Sequence, residues 1–586
     1  MITPMCSFPP AGVFLVGALL LPLVPRRVRP VAFLVPPLAS LVLLWTLEPG
    51  QTLTAAFLDF QLVLTRVDGL SLAFGYVFAI VTLLGGIYAL HLKDTGQQVA
   101  ALLYAGSALG VVFAGDLFTL FVFWEVMAVA SVYLIWARGT GRSRQAGLRY
   151  LFVHMAGGSL LLAGALIHYN DAGSLLFEPM EGGLGAILIL TSFAINAAIP
   201  PLHTWLTDSY PQGTVTGSVF LSAFTTKAAV YALARGFAGW EVLLWAGAVM
   251  AVYGVVYAVL ENDIRGILAY HIVSQVGYMV AGVGLGTEVA VNGATAHAFH
   301  NILCKGLLFM GAGTVLYATG RSKLTELGGL WRALPLVLGL YMVGAFSISG
   351  FPLFSGFVSK SLAVYAAEAD HRGLVVLLLH LASVGTFLSI GLKLPYFTWS
   401  GPSRAIPVGR VPWNMYLGMG LTAAINIAVG VYPAALYGVL PFPVDYRPYT
   451  VAHVSETLQL QLFAGFGFWL LRGILKGEST ITLDTDWFYR RPARLVYVMA
   501  VVYPSQFFAA VERLTLHLVR SLVRASRDPI AATAALFRRS RQRRVAWPQP
   551  NAVVYDPDRY RLPVGVMGLT ILALFVALVL WLLLSR

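Results

Sequence analysis

The chain has 586 residues, of which 58% are hydrophobic and only 11% are charged, whereas soluble domains average roughly 25% charged residues. So few charged side chains cannot cover a soluble protein of this length, which leaves a membrane protein whose helices satisfy their own backbone hydrogen bonds. The net charge of +13 does not indicate nucleic-acid binding, because Lys and Arg accumulate in the cytoplasmic loops of membrane proteins.

Cofactor and metal motifs are missing from the sequence. The two cysteines, Cys6 and Cys304, are far apart and form no CxxC pair, so they predict neither a disulfide framework nor a metal site. The sequence also contains no P-loop, no GxGxxG after a strand and no HExxH, which are the usual nucleotide and zinc signatures. We therefore expect no cofactor and no metal, and any redox or ATP-driven step would need other subunits.

Apolar runs predict about sixteen transmembrane helices, each at least roughly 17 residues long. No basic region precedes the first run, so we expect a first transmembrane helix rather than a cleaved signal peptide. The predicted spans are 10–25, 31–47, 69–90, 98–114, 117–136, 150–168, 184–205, 215–236, 240–260, 266–285, 292–318, 333–366, 373–398, 413–433, 458–476 and 563–584.

The loops between the spans differ in charge. Basic residues lie in one alternating set of loops, at 26–29, 138–149, 321–332 and 404–410. The other set contains mainly acidic residues, at 171–181, 288 and 368–370. The positive-inside rule makes the basic set cytoplasmic. This predicts a multi-pass protein of the plasma (inner) membrane of a prokaryote, with both termini on the outer side.

Helix breakers interrupt the seventh and twelfth spans. The seventh contains Pro200 and Pro201, and the twelfth contains Gly350, Pro352 and Gly356. Proline removes helix hydrogen bonds that lipid cannot replace, so such breaks persist only where protein or a polar cavity satisfies the freed groups. Interruptions at matching positions in two halves indicate a transport site between inverted repeats.

The breaks suggest a division of the chain into segments. We expect an all-α protein with two inverted five-helix repeats and a lateral amphipathic helix. The segments are N-terminal helices at 1–97, a first repeat at 98–236, a second repeat at 240–398, C-terminal helices at 413–476, a basic cytoplasmic-side segment at 477–562 and a terminal helix at 563–586.

The basic segment contains a candidate interfacial helix. Over 503–537, apolar residues recur at helical spacing with arginines between them, as in helices that lie along a membrane surface. The alternative is a basic loop without regular structure. The following stretch, Arg538 to Arg544, is expected to be solvated.

Two ionisable residues lie in the middle of predicted spans. Glu125 is central in the fifth span and Lys227 in the eighth, at a depth where an isolated charge costs about 2.5–3.5 kcal/mol. Desolvation and neighbouring charges can bring such groups into the range where they exchange protons. A static buried ion pair is the alternative for Glu125. Asp116, at the start of the same span, suits a capping or solvated role equally well.

A polar stripe runs along the eleventh span. His297, Asn301 and Lys305 recur at i, i+4 and i+8 and therefore share one helix face. A histidine beside a lysine on such a stripe could pass protons through ordered water. Lys360 follows directly on the break in the twelfth span. Lys393 lies near a predicted cytoplasmic end, where a lysine can also simply reach the interface.

Long motifs in a fixed order resemble the antiporter-like membrane subunits. This family comprises the proton-pumping membrane subunits of respiratory complex I and of membrane-bound hydrogenases, and the A and D subunits of Mrp cation/proton antiporters. The resemblance covers residues 60 to 400. It rests on Gly-Asp-Leu-Phe-Thr-Leu-Phe-Val-Phe-Trp-Glu125, Ile-Pro-Pro-Leu-His203-Thr-Trp-Leu-Thr-Asp-Ser-Tyr-Pro, Thr-Lys227-Ala-Ala-Val-Tyr-Ala-Leu, Asn-Asp-Ile-Arg265-Gly-Ile-Leu-Ala-Tyr and Gly-Phe-Pro-Leu-Phe-Ser-Gly-Phe-Val-Ser-Lys360.

The resemblance implies a proton pathway and also shows departures from the family. The implied pathway is Glu125, Lys227, His297 with Lys305, and Lys360. The family glutamate pairs with a lysine in the broken seventh helix, and this chain has Asn196 there. In addition, Asn301 and Arg265 stand where histidine and lysine are usual in relatives.

Asparagine cannot titrate, so the glutamate–lysine pair that the resemblance implies at the start of the pathway is altered in this chain. Either Lys227 or His203 replaces the lysine, or the protein conducts poorly and acts as a scaffold.

The resemblance implies membership of a larger complex. By these motifs the D subunit of Mrp systems is the nearest relative, and the basic tail is similar to that of the largest complex I pump subunit. The expected function is Mrp-type Na⁺/H⁺ antiport or a pump module of NADH dehydrogenase-like or hydrogenase-like complexes. The expected partners are other membrane subunits, protons, Na⁺ and lipid. The alternatives are a structural scaffold and a membrane subunit for inorganic-carbon uptake.

Overall fold

The computed structural model describes residues 8–478, 483–527, 569 and 571–576. The described chain falls into two compact units that divide after Tyr489. In chain order, the helices and strands of the two units are α1 (Pro10–Leu20), α2 (Arg29–Ala32), α3 (Val35–Thr46), β1 (Thr52–Phe57), β2 (Phe60–Arg66), α4 (Gly69–Tyr88), α5 (Thr95–Phe113), α6 (Leu117–Trp136), α7 (Gly141–Ala172), α8 (Gly183–Asn196), α9 (Thr204–Ser209), α10 (Gly217–Leu221), α11 (Thr225–Gly236), α12 (Glu241–Leu260), α13 (Ile264–Leu285), α14 (Glu288–Thr319), α15 (Pro335–Ser349), α16 (Ser355–Ala369), α17 (Gly373–Thr386), α18 (Trp413–Val431), α19 (Ala434–Tyr437), α20 (Val451–Leu471), α21 (Trp487–Tyr497) and α22 (Tyr503–Arg527).

The helices are those of a multi-pass membrane protein. Within the described ranges, twelve helices are long and apolar enough to cross a bilayer, and three shorter apolar helices accompany them. The predicted all-α membrane fold is therefore confirmed. The count of about sixteen spans and the inverted repeats stay predictions. Most of the predicted last span, 563–584, and the stretch Arg538–Arg544 lie outside the described residues.

A small β-hairpin lies between the early helices, where the sequence predicted no strand. Strands β1 and β2 pair antiparallel. The hairpin is held against α6, because the backbone N–H of Val63 donates to Asp116 at 2.7 Å and the N–H of Gly115 donates to the Val63 carbonyl at 2.9 Å. A two-stranded hairpin is marginal on its own, so these contacts with the helical body stabilise it.

Helices α12 and α13 pack through glycines. A Cβ atom at Gly254 would lie 2.5 Å from the backbone nitrogen of Ser274, and one at Gly277 would lie 2.5 Å from that of Ala251. Small residues let helices approach closely where lipid provides no hydrophobic driving force between them. The two helices therefore pack closely, and α13 also contacts the central helix α14.

Both spans that the sequence marked as interrupted are divided in the structure. Helix α8 ends at Asn196 and α9 begins at Thr204, with Pro200 and Pro201 between them. Helix α15 ends at Ser349, where Gly350 adopts a left-handed backbone with a φ of 75° that favours glycine.

The second break brings its two half-helices close together. Pro352 lies between them, and Gly356 lies in the first turn of α16. A side chain at Gly356 would overlap the backbone carbonyl of Ser347. Glycine at this position therefore allows the close approach.

A third break, which was not predicted, divides the expected span 215–236. Helix α10 ends at Leu221 and α11 begins at Thr225. The residues between them, Ser222 to Phe224, include neither glycine nor proline, so the sequence offered no signal of the kind that marked the other two breaks.

The second unit begins at Arg490 and contains most of α21 and all of α22. The range Arg494–Ser526 is continuous and apolar enough to span a bilayer, but none of its most apolar window is buried inside the protein. A helix was predicted over 503–537, and the described helix ends at Arg527. How it lies relative to the membrane stays a prediction.

Candidate functional site

Titratable side chains lie in the interior of the first unit. Lys227, His297, Lys305, Lys360 and Lys393 are all buried. Buried lysines are rare because removing an ammonium group from water is costly. Their presence in helices at bilayer depth therefore needs a structural or functional reason.

The third helix break provides a site for Lys227. Its ammonium Nζ donates to the backbone carbonyl of Ser222 at 2.8 Å. That carbonyl lies just after the end of α10, where no continuing helix provides an N–H group to donate to it. The break therefore explains how this lysine is held in the interior. In the described ranges Lys227 forms no ion pair with Glu125.

Glu125 and Asn196 both face helix α7. The Oε1 atom of Glu125 is buried without a hydrogen-bond partner among the described side chains and backbone groups, and it occupies the space that a Cβ at Gly158 would need. Both amide atoms of Asn196 are likewise buried and have no partner in the part of the chain described.

The polar stripe of α14 contacts the second break. The Nδ1 atom of His297 lies 3.2 Å from the hydroxyl of Ser359. The Tyr278 ring contacts both His297 and Lys360, with its centroid 5.3 Å from the imidazole centroid and 5.2 Å from the Lys360 ammonium nitrogen. These contacts place the histidine and the lysine against one shared aromatic ring.

The other two members of the stripe, Asn301 and Lys305, follow His297 along α14. The ammonium of Lys305 donates to the Leu268 carbonyl at 3.1 Å. Both amide atoms of Asn301 are buried and lack a partner within the described residues. Buried polar atoms of this kind are normally satisfied by internal water, which also conducts protons.

His300 lies outside the polar stripe, and the structure gives it a separate role at the second break. Its Nδ1 lies 2.7 Å from the Ser355 hydroxyl. That hydroxyl in turn lies 2.9 Å from Asn426 Oδ1 and 2.8 Å from the Ser347 hydroxyl. This network holds the two half-helices together. Helical spacing alone could not indicate it, because its members come from α14, α15, α16 and α18.

Lys393 and Asp116 have local structural partners. Lys393 donates to the backbone carbonyls of Val259 at 2.5 Å and Glu261 at 2.9 Å, at the end of α12 where the helix dipole favours a cation. Asp116 caps α6 by accepting from the backbone N–H of Thr119 at 2.7 Å. Neither contact requires proton transfer.

A carboxylate from the segment after α20 reaches the first break. Asp484 Oδ2 lies 3.1 Å from His203 Nε2 and accepts from Tyr270 at 2.7 Å, while its Oδ1 accepts from Tyr253 at 2.5 Å. The Thr485 hydroxyl also donates to the Pro201 carbonyl at 3.3 Å. No motif or spacing in the sequence indicated this cluster.

Hydrogen bonding decides the ionisation of Asp484. Burial raises the pKa of its carboxyl, but the hydrogen bonds from His203, Tyr253 and Tyr270 outweigh that effect and hold the pKa well below its usual value. A charged Asp484 therefore fastens this segment beside the broken helix.

A cleft opens next to Lys360. Its lining includes Tyr278, Ser383, Glu368, His380 and Glu456. Lys360 donates to the Ser383 hydroxyl at 3.3 Å, so the buried ammonium lies at the inner end of a cleft with carboxylates on its rim. Among the described residues, no group of three or more His, Cys, Asp or Glu side chains could hold a metal ion.

Comparison with known proteins finds a matching family model and similar proteins. Residues 114–389 match the family model described as NADH:quinone oxidoreductase/Mrp antiporter, transmembrane. The chain is 32% identical to the D subunit of the Na⁺/H⁺ antiporter of Alkalihalophilus pseudofirmus over 50% of this chain and 63% of that one. It is 35% identical to the N subunit of the NADH-quinone oxidoreductase of Desulforudis audaxviator over 46% of this chain and 58% of that one. Both matches thus span less than two thirds of the relative's length.

A solved structure matches over nearly the whole chain. A chain of the membrane-bound sulfane sulfur reductase, an archaeal respiratory membrane complex, superimposes with a TM-score of 0.68 at 22% identity and covers 99% of both chains. At this identity the likeness establishes the fold alone.

Proposed function

Because the chain belongs to the antiporter-like membrane subunit family, we propose that it translocates protons as one component of a multisubunit complex in a prokaryotic plasma membrane. The proposed activity is either Mrp-type Na⁺/H⁺ antiport or proton pumping of the kind carried out by complex I and membrane-bound hydrogenases. The observation that carries the proposal is the set of buried lysines and histidines along the interior helices. A static scaffold gains nothing from burying ammonium groups that cost free energy.

The proposed pathway runs through Glu125, Lys227, His297, Lys305 and Lys360. Each lysine donates to a carbonyl or hydroxyl rather than to a carboxylate. A lysine held by neutral acceptors can lose its proton without leaving an uncompensated anion behind. Internal water next to the unpartnered atoms of His297 and Asn301 would connect the groups.

Lys360 is the proposed exit group. Its cleft is lined by Glu368 and Glu456, whose carboxylates would attract a released proton or a counter-transported cation. The positive-inside rule makes this the outer side, and it also places both termini outside. In this proposal the segments 98–236 and 240–398 are the two inverted repeats, and each contributes one half of the pathway.

Exchange assays in everted vesicles that contain the whole complex test the proposal. Lys227→Met keeps the side-chain length and removes the titratable group, so we expect cation-dependent proton exchange to fall by about 100-fold or more. Lys323→Met is the matched control, because Lys323 is half-exposed and lies 3.9 Å from Glu326. Full exchange by Lys227→Met in an assembled complex would refute the proposed pathway.

A structural scaffold is the second candidate, and Asn196 favours it. An amide cannot exchange a proton at the first break, and its two buried polar atoms have no partner in the described ranges. A scaffold predicts that Lys360→Met leaves transport unchanged while deletion of the whole chain disassembles the complex. Loss of transport in Lys360→Met without disassembly would exclude it.

A further inference from the structure

Polar atoms without partners concentrate where α6, α7 and α8 meet. Trp124 and Glu125 on α6, His154 on α7, and Ser192 and Asn196 on α8 all contribute buried atoms that lack a hydrogen bond within the described chain. Orphaned polar atoms are rare in proteins, and each one needs an explanation. So many on three adjacent helices indicate a hydrated polar site rather than an isolated defect.

Two adjacent glycines of α7, Gly157 and Gly158, border this site. Gly158 makes room for the Glu125 carboxylate. At Gly157, a Cβ would lie 3.6 Å from Asn196 Oδ1 and 3.7 Å from the nearest carbon of Ile195. Glu125 and Asn196 therefore approach α7 at adjacent residues, from α6 and from α8.

His154 lies one helical turn before Gly158 on α7. Its side chain is 1% exposed, and both ring nitrogens lack a partner among the residues described. Its ring centroid lies 4.4 Å from that of Trp205, and the Trp205 indole donates to the Ile195 carbonyl at 2.8 Å. The indole that packs against the imidazole is thus itself bound to α8, the helix that carries Asn196.

Hydroxyl groups lead from Tyr150, whose ring lies against His154, toward Lys227. The His154 ring lies against the Tyr150 ring at an interplanar angle of 42°, with centroids 4.0 Å apart. The Tyr150 hydroxyl lies 3.5 Å from the Thr225 hydroxyl, which lies 2.6 Å from the Tyr104 hydroxyl. Thr225 begins α11 two residues before Lys227. Protons that reach His154 therefore have polar groups to follow toward the next lysine.

Few other titratable groups face this site. Helix α8, Gly183–Asn196, contains none. The elements packed on α7 contribute Glu125 and Tyr133 from α6, Asp208 from α9 and Tyr210 from the turn after it. Asp208 is bound to Arg149 at 2.7 Å. Of the described groups on these elements, His154 alone is a buried base with two ring nitrogens that lack a hydrogen bond.

We propose that His154 is the proton acceptor opposite Glu125 at the first break of this chain. The inference rests on the proposed function. In the step it describes, the O–H bond of a protonated Glu125 breaks and an N–H bond forms on the His154 ring through intervening water. This leaves a carboxylate and an imidazolium, and the imidazolium then releases its proton toward Tyr150 and Lys227. No electrons are transferred.

His154→Gln tests the proposal in vesicles containing the whole complex. Glutamine keeps a polar side chain and cannot accept the proton, so we expect exchange to fall by about tenfold or more. His168→Gln is the matched control on the same helix, at a half-buried position outside the site. Lys227→Met is measured in parallel. If Lys227→Met blocks exchange while an assembled His154→Gln protein exchanges normally, the role of His154 is refuted and the proposed function stands. If neither change lowers exchange, the proposed function itself is refuted.

Two further variants separate proton transfer from a structural role. Asn196→Lys in the His154→Gln background supplies a titratable nitrogen at the same site, so we expect exchange to recover at least in part. Asn196→Lys alone keeps His154 and provides a test even if His154→Gln does not assemble. The added ammonium disfavours the charged imidazolium of His154. On a plot of proton-exchange rate against pH, the fall in rate at low pH should therefore move about one pH unit toward acid. An unchanged position of this fall would overturn the proposal.

Discussion

Exchanging one hydrogen atom for a methyl group at Gly158 should displace the Glu125 carboxylate. The Cβ of alanine at this position would overlap Glu125 Oε1. Gly157, the preceding residue on the same helix, offers a matched control, because a Cβ there would meet its nearest neighbours at 3.6 and 3.7 Å, which is ordinary van der Waals contact. Both substitutions improve helix propensity by about the same amount, so the comparison isolates the position of the carboxylate.

The magnitude follows from overpacking. The clashing atom is the end of a flexible side chain, so the helix can stay in place while Glu125 rotates away. Forcing the carboxylate back against the new methyl group costs about 1–3 kcal/mol, which corresponds to roughly a 5- to 150-fold smaller fraction of molecules with the native arrangement. We expect proton exchange by Gly158→Ala to fall by a similar factor.

The assay compares both variants in vesicles, together with the thermal stability of the purified protein. Gly157→Ala should exchange at the wild-type rate. Gly158→Ala should fold, keep its thermal unfolding midpoint within a few degrees of the wild-type value, and exchange protons slowly. Equal exchange by the two variants would refute the assignment of Glu125 to the pathway, because its carboxylate could then move without consequence.

Other expectations follow from single contacts. Lys360→Met removes the ammonium at the inner end of its cleft and should lower exchange by about tenfold or more without changing assembly. Equal exchange to wild type would remove Lys360 from the pathway. Asp484→Asn weakens the hydrogen bonds from His203 and two tyrosines. Each such bond is worth about 1.5–3 kcal/mol to a charged acceptor. The backbone amide hydrogens around Asp484 should therefore exchange with deuterium at least about tenfold faster in the variant. The pKa of Asp484 is lowered, so its stabilisation is complete above the unfolded pKa of about 4 and is lost as the pH falls toward the folded value. Amide protection from deuterium exchange that stays constant down to pH 2 in the wild-type protein would contradict this pH dependence. Gly277→Ala should destabilise the protein by about 1–3 kcal/mol, because its Cβ would meet a backbone atom at 2.5 Å, whereas Gly339→Ala, which meets nothing within 4 Å, should not. Equal melting midpoints would refute the tight packing of α12 on α13.

The membrane character and most helix positions could be predicted from the sequence. Long apolar runs are a local property, because lipid forces every backbone polar group to be satisfied within its own segment. The same physics marked Glu125, Lys227 and Lys305 as exceptional, since a titratable group in an apolar run is costly wherever the run packs. Proline and glycine indicated two of the breaks for equally local reasons.

The surroundings of those groups depended on tertiary structure. His203 and Asp484 are 281 residues apart, and no periodicity relates them. No pattern in the sequence indicated His154, and only the approach of α6 and α8 to its helix brings Glu125 and Asn196 against Gly158 and Gly157 of that helix. Composition and spacing determine which residues are buried in a membrane. Which buried residues meet depends on how the helices cross, and that is a property of the whole packed bundle.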